Sequence, residues 1–301
     1  MTSHLYLSRF LFFVLSFLVV SLTFSYDNSS MSHGQESTYW EKATDSMDPS
    51  FEKKLLYARE KNVPLMDLHV HLKGGLTVED ALKNAERYGY KYGIAYNCGL
   101  NMGFESDDSL RTFVQNYRKP PGTYLAMQAE GREWLDMFSE QTVDLFDYVF
   151  TDAMTWTNNN GKRMRLWIPE ETEIGDPQDF MDQLVDNIES VLDNEPVDIY
   201  VNSTYLPDAL SYQYEELWTP ERMHRVIQAL KRNKVAMEIS ARYKIPSEIF
   251  IKEAKKSGVQ FTFGTNNTGA HDLGRLEYCL DMIKNCDLTP EDIWVPEDSD
   301  F

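Results

Sequence analysis

Residues 64–75 read Pro64-Leu65-Met66-Asp67-Leu68-His69-Val70-His71-Leu72-Lys73-Gly74-Gly75, a short apolar run that ends on a glycine pair. Its length, with proline before it and glycine after, predicts a β-strand over 65–71 rather than a helix. Successive side chains of a strand point to opposite faces, so His69 and His71 share one face. That is the placement two imidazoles need to share one metal ion. Two buried, hydrogen-bonded histidines are the alternative reading.

The same kind of run recurs at 92–97, 124–130, 148–152, 198–202, 235–239 and 260–264, giving seven candidate strands. Amphipathic helical patterns lie between them at 77–88, 108–117, 131–146, 177–192, 220–232 and 246–257, and a last one follows at 273–285. Several begin on start signals: Thr77 with Asp80, Thr219 before Pro220, and Pro246 with Ser247. Strand followed by helix, repeated, predicts parallel strands joined by right-handed crossovers. An open doubly wound sheet would carry a glycine-rich phosphate loop after its first strand, and Lys73-Gly74-Gly75 is not one. The fold class is therefore α/β, a single barrel.

The C-terminal ends of these strands carry His69 and His71, Asn97, Glu130, Asp152, Asn202, Glu238, and Asn266 with Asn267. In parallel barrels that face holds the site.

At 301 residues, 42% hydrophobic and 26% charged, the chain suits one large soluble domain. Residues 1–25, with Arg9 ahead of a nearly unbroken apolar run to Phe24, read as a cleaved signal peptide, so the protein is expected to be exported, periplasmic or secreted. An uncleaved membrane anchor is the alternative. After cleavage no stable membrane association is expected. Residues 26–46 read as a flexible polar lead-in, and 47–301 as the barrel domain. The net charge of −19 argues against nucleic acid and leaves a small-molecule substrate as the expected partner. Lys162, Arg163 and Arg165 form a local basic cluster in a predicted loop. Cys98, Cys279 and Cys286 have no metal-finger spacing, and the last two, two helical turns apart, are too far apart to bridge.

The segment Asp67-Leu68-His69-Val70-His71, the glycine turn and the Thr77 helix start resemble the opening motif of the polymerase and histidinol phosphatase (PHP) family. Ala129-Glu130-Gly131, the run Met237–Arg242 and the run Gly258–Asn266 resemble its later segments, so the likeness spans most of 64–296. It implies a distorted seven-stranded (β/α) barrel and hydrolysis of phosphate esters by up to three divalent metals. His69 and His71 match the first two metal ligands, and Glu130 the bridging carboxylate. The chain departs from the family where Asn97, Asn202 and Asn266-Asn267-Thr268 stand in ligand positions. Asparagine offers no charge and binds zinc, manganese or iron weakly. Fewer ions than three are thus expected, held by His69, His71, Glu130 and Asp152, while His271 lies off register. The start His69-Val70-His71-Leu72-Lys73-Gly74 also resembles adenosine deaminase-type amidohydrolases, with Lys73 replacing their acidic residue.

The expected function is a metal-dependent hydrolase of the phosphoesterase kind, with Glu238 or Asp152 as general base and Lys73 neutralising charge on a phosphoryl oxygen. The alternative is a non-catalytic barrel that binds a polar ligand such as a sugar. In that reading Asn97, Asn202, Asn266 and Asn267 supply hydrogen bonds, and Trp134, Trp156 and Trp167 supply flat walls.

Overall fold

The computed structural model describes residues 48–297, so the segments expected as signal peptide and lead-in lie outside the described residues. In chain order the strands are β1 (Met66–Val70), β2 (Lys91–Gly99), β3 (Thr123–Glu130), β4 (Tyr148–Thr151), β5 (Thr155–Thr157), β6 (Arg163–Arg165), β7 (Ile199–Tyr200), β8 (Ala236–Ser240) and β9 (Phe261–Gly264). Seven of them form one parallel sheet in the order β1-β2-β3-β4-β7-β8-β9, and β5 pairs antiparallel with β6. The seven are the runs marked by the apolar pattern, shifted by a residue or two at their ends.

The sheet is nearly closed into a barrel. Between β1 and β9 the join is made largely by a side chain: Asp67 accepts hydrogen bonds from Thr265 N at 2.9 Å, Thr265 Oγ1 at 2.5 Å and His69 N at 3.3 Å. Next to it, Asn266 N donates to His69 O at 2.9 Å. Asn267 completes the seam, its Oδ1 accepting from His71 N at 2.7 Å and its Nδ2 donating to His71 O at 2.9 Å. Burial pushes the Asp67 carboxyl up to about 6, against the pull of these donors.

The two-residue period of strands layers the interior. On β4, Tyr148 reaches across the barrel to donate to Leu68 O at 2.6 Å. One pleat higher, the Phe150 ring lies 4.6 Å from that of His69. Asp152 follows at the mouth. Gly93 on β2 makes room for this floor, because a Cβ there would stand 1.7 Å from the Tyr148 hydroxyl.

Helices α1 (Pro49–Glu60), α2 (Val78–Tyr88), α3 (Asp107–Asn116), α4 (Pro177–Asn194), α5 (Pro220–Asn233), α6 (Glu248–Lys256) and α7 (Glu277–Asn285) surround the strands. Thr77 and Asp80 form a capping box on α2, and Thr219 and Ser247 cap α5 and α6. No helix among the described residues is long and apolar enough to cross a membrane. The three cysteines are buried and free.

Three expectations are corrected. The helix expected over 131–146 is two single turns, Trp134–Met137 and Glu140–Val143, because the Asp107 carboxylate takes Ser139 N at 2.7 Å and Ser139 Oγ at 2.9 Å and Phe138 turns extended. The basic cluster expected in a loop lies largely on the β5–β6 hairpin, and its charges are paired: Lys162 with Glu173, Arg163 with Glu133, Arg165 with Glu171. Trp134 and Trp156, expected as ligand walls, are packed inside, Trp134 in the apolar layer with Met127 and Phe138 and Trp156 against Phe180.

Candidate functional site

Each strand end delivers its polar residue to the same mouth, and hydrogen bonds join most of them. His69, 1% exposed, places Nδ1 at 2.6 Å from Glu238 Oε1. A carboxylate oxygen at that distance makes Nδ1 the donor. The opposite nitrogen, Nε2, is buried with no hydrogen-bond partner. Its Oε2 accepts from Asn202 N at 2.9 Å. Glu238, one of the two expected bases, is therefore turned to the rear of His69, and its geometry is that of a group that orients the ring.

This pairing depends on Gly264. A Cβ at that position would stand 2.0 Å from Glu238 Oε1 and 2.7 Å from His69 Cβ, so only glycine lets β9 pass behind the pair.

His71 presents its ring 5.2 Å from that of His69, at 66°. Burial, then the charges of His69 and Lys73, hold its pKa well below the usual imidazole range. Its imidazole is therefore neutral, the form that donates a lone pair.

The two carboxylates lie on the neighbouring strands. Glu130 Oε1 accepts from Asn97 Nδ2 at 2.9 Å and Gln128 Nε2 at 2.8 Å. Asp152 Oδ2 accepts from Asn202 Nδ2 at 3.0 Å, and its Oδ1 from Met154 N at 2.9 Å. Asn266 Nδ2 extends the chain to Asn202 Oδ1 at 3.3 Å. Burial and next the charge of Asp152 push Glu130 up to about 8, and burial raises Asp152 as well. A buried carboxyl raised in this way, as Glu130 is, retains a proton near neutral pH unless a cation joins it.

Among the described residues no three His, Cys, Asp or Glu side chains are grouped as the donors of a bound ion would be. His71, Asn97, Asn202 and Asp152 stand at or next to the C-terminal ends of their strands. Asn267 reaches the seam instead, where both ends of its amide are taken by the main chain of His71. His271 is exposed, 3.9 Å from Asp272, outside this network.

Lys73, expected to neutralise phosphoryl charge, stands at the rim with Arg242, and Arg132, absent from the sequence reading, supports it. Burial and then the like charge of Arg242 lower the pKa of Lys73, and both cations act on His71. Arg242 Nη1 donates to Asn266 O at 3.2 Å. Arg132 fixes the end of β4, binding Thr151 Oγ1 at 2.9 Å, Asp152 O at 2.8 Å and Glu195 at 2.7 Å. An arginine directly after the strand-end motif Ala129-Glu130-Gly131 was the available signal for it.

No family model matches the chain, and no curated protein matches it in sequence. Among solved structures it is similar to a histidinol phosphate phosphatase from Lactococcus lactis, complexed with zinc, L-histidinol and phosphate. The TM-score is 0.52 at 14% identity, over 74% of this chain and 94% of that one. An archaeal ribonuclease P with mature tRNA (TM-score 0.35, 12% identity, 74% of this chain and 90% of that one) and a triazine hydrolase variant (TM-score 0.32, 12% identity, 79% and 54%) also match, too loosely to bear on the argument. At this identity the first likeness shows the fold alone, the PHP-type barrel.

Proposed function

We propose that this protein is a metal-dependent phosphoester hydrolase with a reduced metal site at the barrel mouth. The observation that carries the reading is His69, whose Nδ1 is fixed by Glu238 and whose Nε2 is buried with nothing to bind. A buried ring nitrogen without a partner is costly, and a rear carboxylate that fixes the ring is the usual support of a ligating imidazole. Neutral His71 beside it, and the buried carboxylates Glu130 and Asp152, suit a cation in donor type and charge. His69 and His71 would hold it, with Glu130 and Asp152 supplying negative charge once released from their amide partners. Such an ion, when bound, supplies an acidified ligand water and polarises a phosphoryl oxygen.

The chain's own residues do the rest. Lys73 and Arg242 receive the anionic phosphoryl group, which relieves the repulsion between them. Asp152 accepts the proton of the attacking water, and Glu238 keeps the His69 ring in place. Arg132 holds the main chain of Asp152 so that its carboxylate stays aimed at the mouth.

The test is metal titration of the purified protein with Mn²⁺ or Zn²⁺, followed by hydrolysis of p-nitrophenyl phosphate. Metal-dependent turnover that His69→Ala removes is expected. The second reading, a polar-ligand barrel, is favoured by the amides that already satisfy both carboxylates. Folded protein that takes up no metal, shows no turnover and loses nothing with His69 would establish that reading instead.

A further inference from the structure

Arg242 belongs to the mouth through its bond to Asn266 O, and its guanidinium carbon also lies 5.2 Å over the ring of Tyr243. Beyond it, between the loops that follow β7 and β8, opens a cleft of about 670 Å³ lined by the rings of Tyr205, Tyr214, Tyr243 and Tyr278 and by Arg242, with Asp208, Glu215 and Glu248 also on its wall. That volume is within the range of small-molecule sites.

The four tyrosines divide into two pairs. Tyr214 donates to Thr204 Oγ1 at 2.6 Å and accepts from Ser247 N at 3.2 Å, while Tyr278 donates to Pro246 O at 2.5 Å. Their hydroxyls are tied to the protein, which leaves the rings as fixed walls. Tyr205 and Tyr243 meet edge to face, with centroids 4.9 Å apart at 67°, and their hydroxyls have no protein partner among the described residues. They form an aromatic corner with an open side, next to a cation.

The loops around this corner are held in unusual conformations. Asn202, Lys244 and Asn266 have φ of 48°, 56° and 43°. Lys244 is the departure among them, since asparagine enters this region more readily than other non-glycine residues.

We propose that this cleft is the leaving-group subsite, and that the substrate is a phosphate monoester of an aromatic alcohol. The inference rests on the hydrolase reading of the mouth. The phosphoryl group lies at Lys73 and Arg242, and the aromatic ring packs into the Tyr205–Tyr243 corner, with Arg242 spanning the two. In the reaction the oxygen of water bonds to phosphorus and the ester P–O bond breaks. Its electron pair leaves on the alcohol oxygen, which takes up a proton, and no redox partner is required.

The experiment compares 2-naphthyl phosphate with glycerol phosphate as substrates, and 2-naphthylmethylphosphonate with methylphosphonate as calorimetric ligands. Tyr205→Ala, Tyr243→Ala and Tyr243→Phe proteins are measured beside the wild type. Each alanine variant is expected to lose about tenfold in kcat/KM and in affinity for the naphthyl compounds, as one aromatic contact is worth. Both should change less than about twofold for the aliphatic ones, and Tyr243→Phe should behave as wild type. Equal losses on both compounds, or none, overturn the subsite. If neither ester is hydrolysed by the wild type, the hydrolase reading fails and binding alone decides: naphthyl-selective affinity that the alanine variants lose keeps the subsite, and its absence removes it.

Discussion

Glu238 lies on the eighth strand and His69 on the first, and nothing local in either stretch announces that they touch. The pair of histidines was legible because a period of two puts residues 69 and 71 on one face. The partner of each ring was not, because partners are set by how the barrel closes. The same holds for Asn267, which reads as a free amide in sequence and is spent on the backbone of His71. Two substitutions probe this scale. Glu238→Gln keeps the side-chain shape but removes the charge behind Nδ1, and a lost carboxylate of this kind weakens metal affinity about 10- to 100-fold. Titration with Zn²⁺ is expected to show that drop with the thermal midpoint little changed, and unchanged affinity would remove Glu238 from the site. Gly264→Ala drives a methyl into both partners, so overpacking of about 2 to 3 kcal/mol is expected in chemical denaturation, together with loss of metal binding.

At the scale of elements, the sequence marked helices by period and cap, and it failed where a distant side chain overrode the local pattern. The stretch 131–146 has the apolar spacing of a helix, but Asp107 captures Ser139 from another element and stops it. Helix α1 was missed for the opposite reason: Asp48 and Pro49 are good start signals, yet the charged composition of 49–60 hides the narrow face of Phe51, Leu55 and Ala58. The β5–β6 hairpin has strands too short for any alternation to show. Asp107 gives the test. Its carboxyl is lowered to about 2, first by the Ser139 N–H and also by Ser139 Oγ, Thr142 and Arg111. A lowered carboxyl contributes its stability above the unfolded value near 4, and loses it as pH falls through the folded value. Asp107→Ala is therefore expected to destabilise the protein by about 1 to 2 kcal/mol at pH 7. That difference from wild type should shrink between about pH 4 and pH 2. A difference that stays constant over that range would mean that the charge of Asp107 contributes nothing.

For the whole molecule, the question is what makes seven strands a barrel rather than an open sheet. The pattern of strands and helices was compatible with both, and only the missing phosphate loop and the family resemblance chose between them. The structure supplies a positive cause. Asp67, the residue two before the first histidine, gathers three donors from β1 and the end of β9, and no regular ladder replaces it there. The same seam carries His69 O, His71 and Asn267, so closing the barrel and aligning the two imidazoles are one event. Asp67→Ala leaves the Thr265 and His69 N–H groups buried without an acceptor, and about 3 kcal/mol of stability should be lost. Thr265→Val removes one hydroxyl contact and should lose about 1 kcal/mol. If the seam is what closes the barrel, Asp67→Ala must also disturb the mouth: the ring signals of His69 and His71 in NMR should shift and broaden under conditions where the protein is still folded. Loss of stability with both rings unchanged would show that the remaining bonds hold the imidazoles, and that Asp67 is a packing residue only.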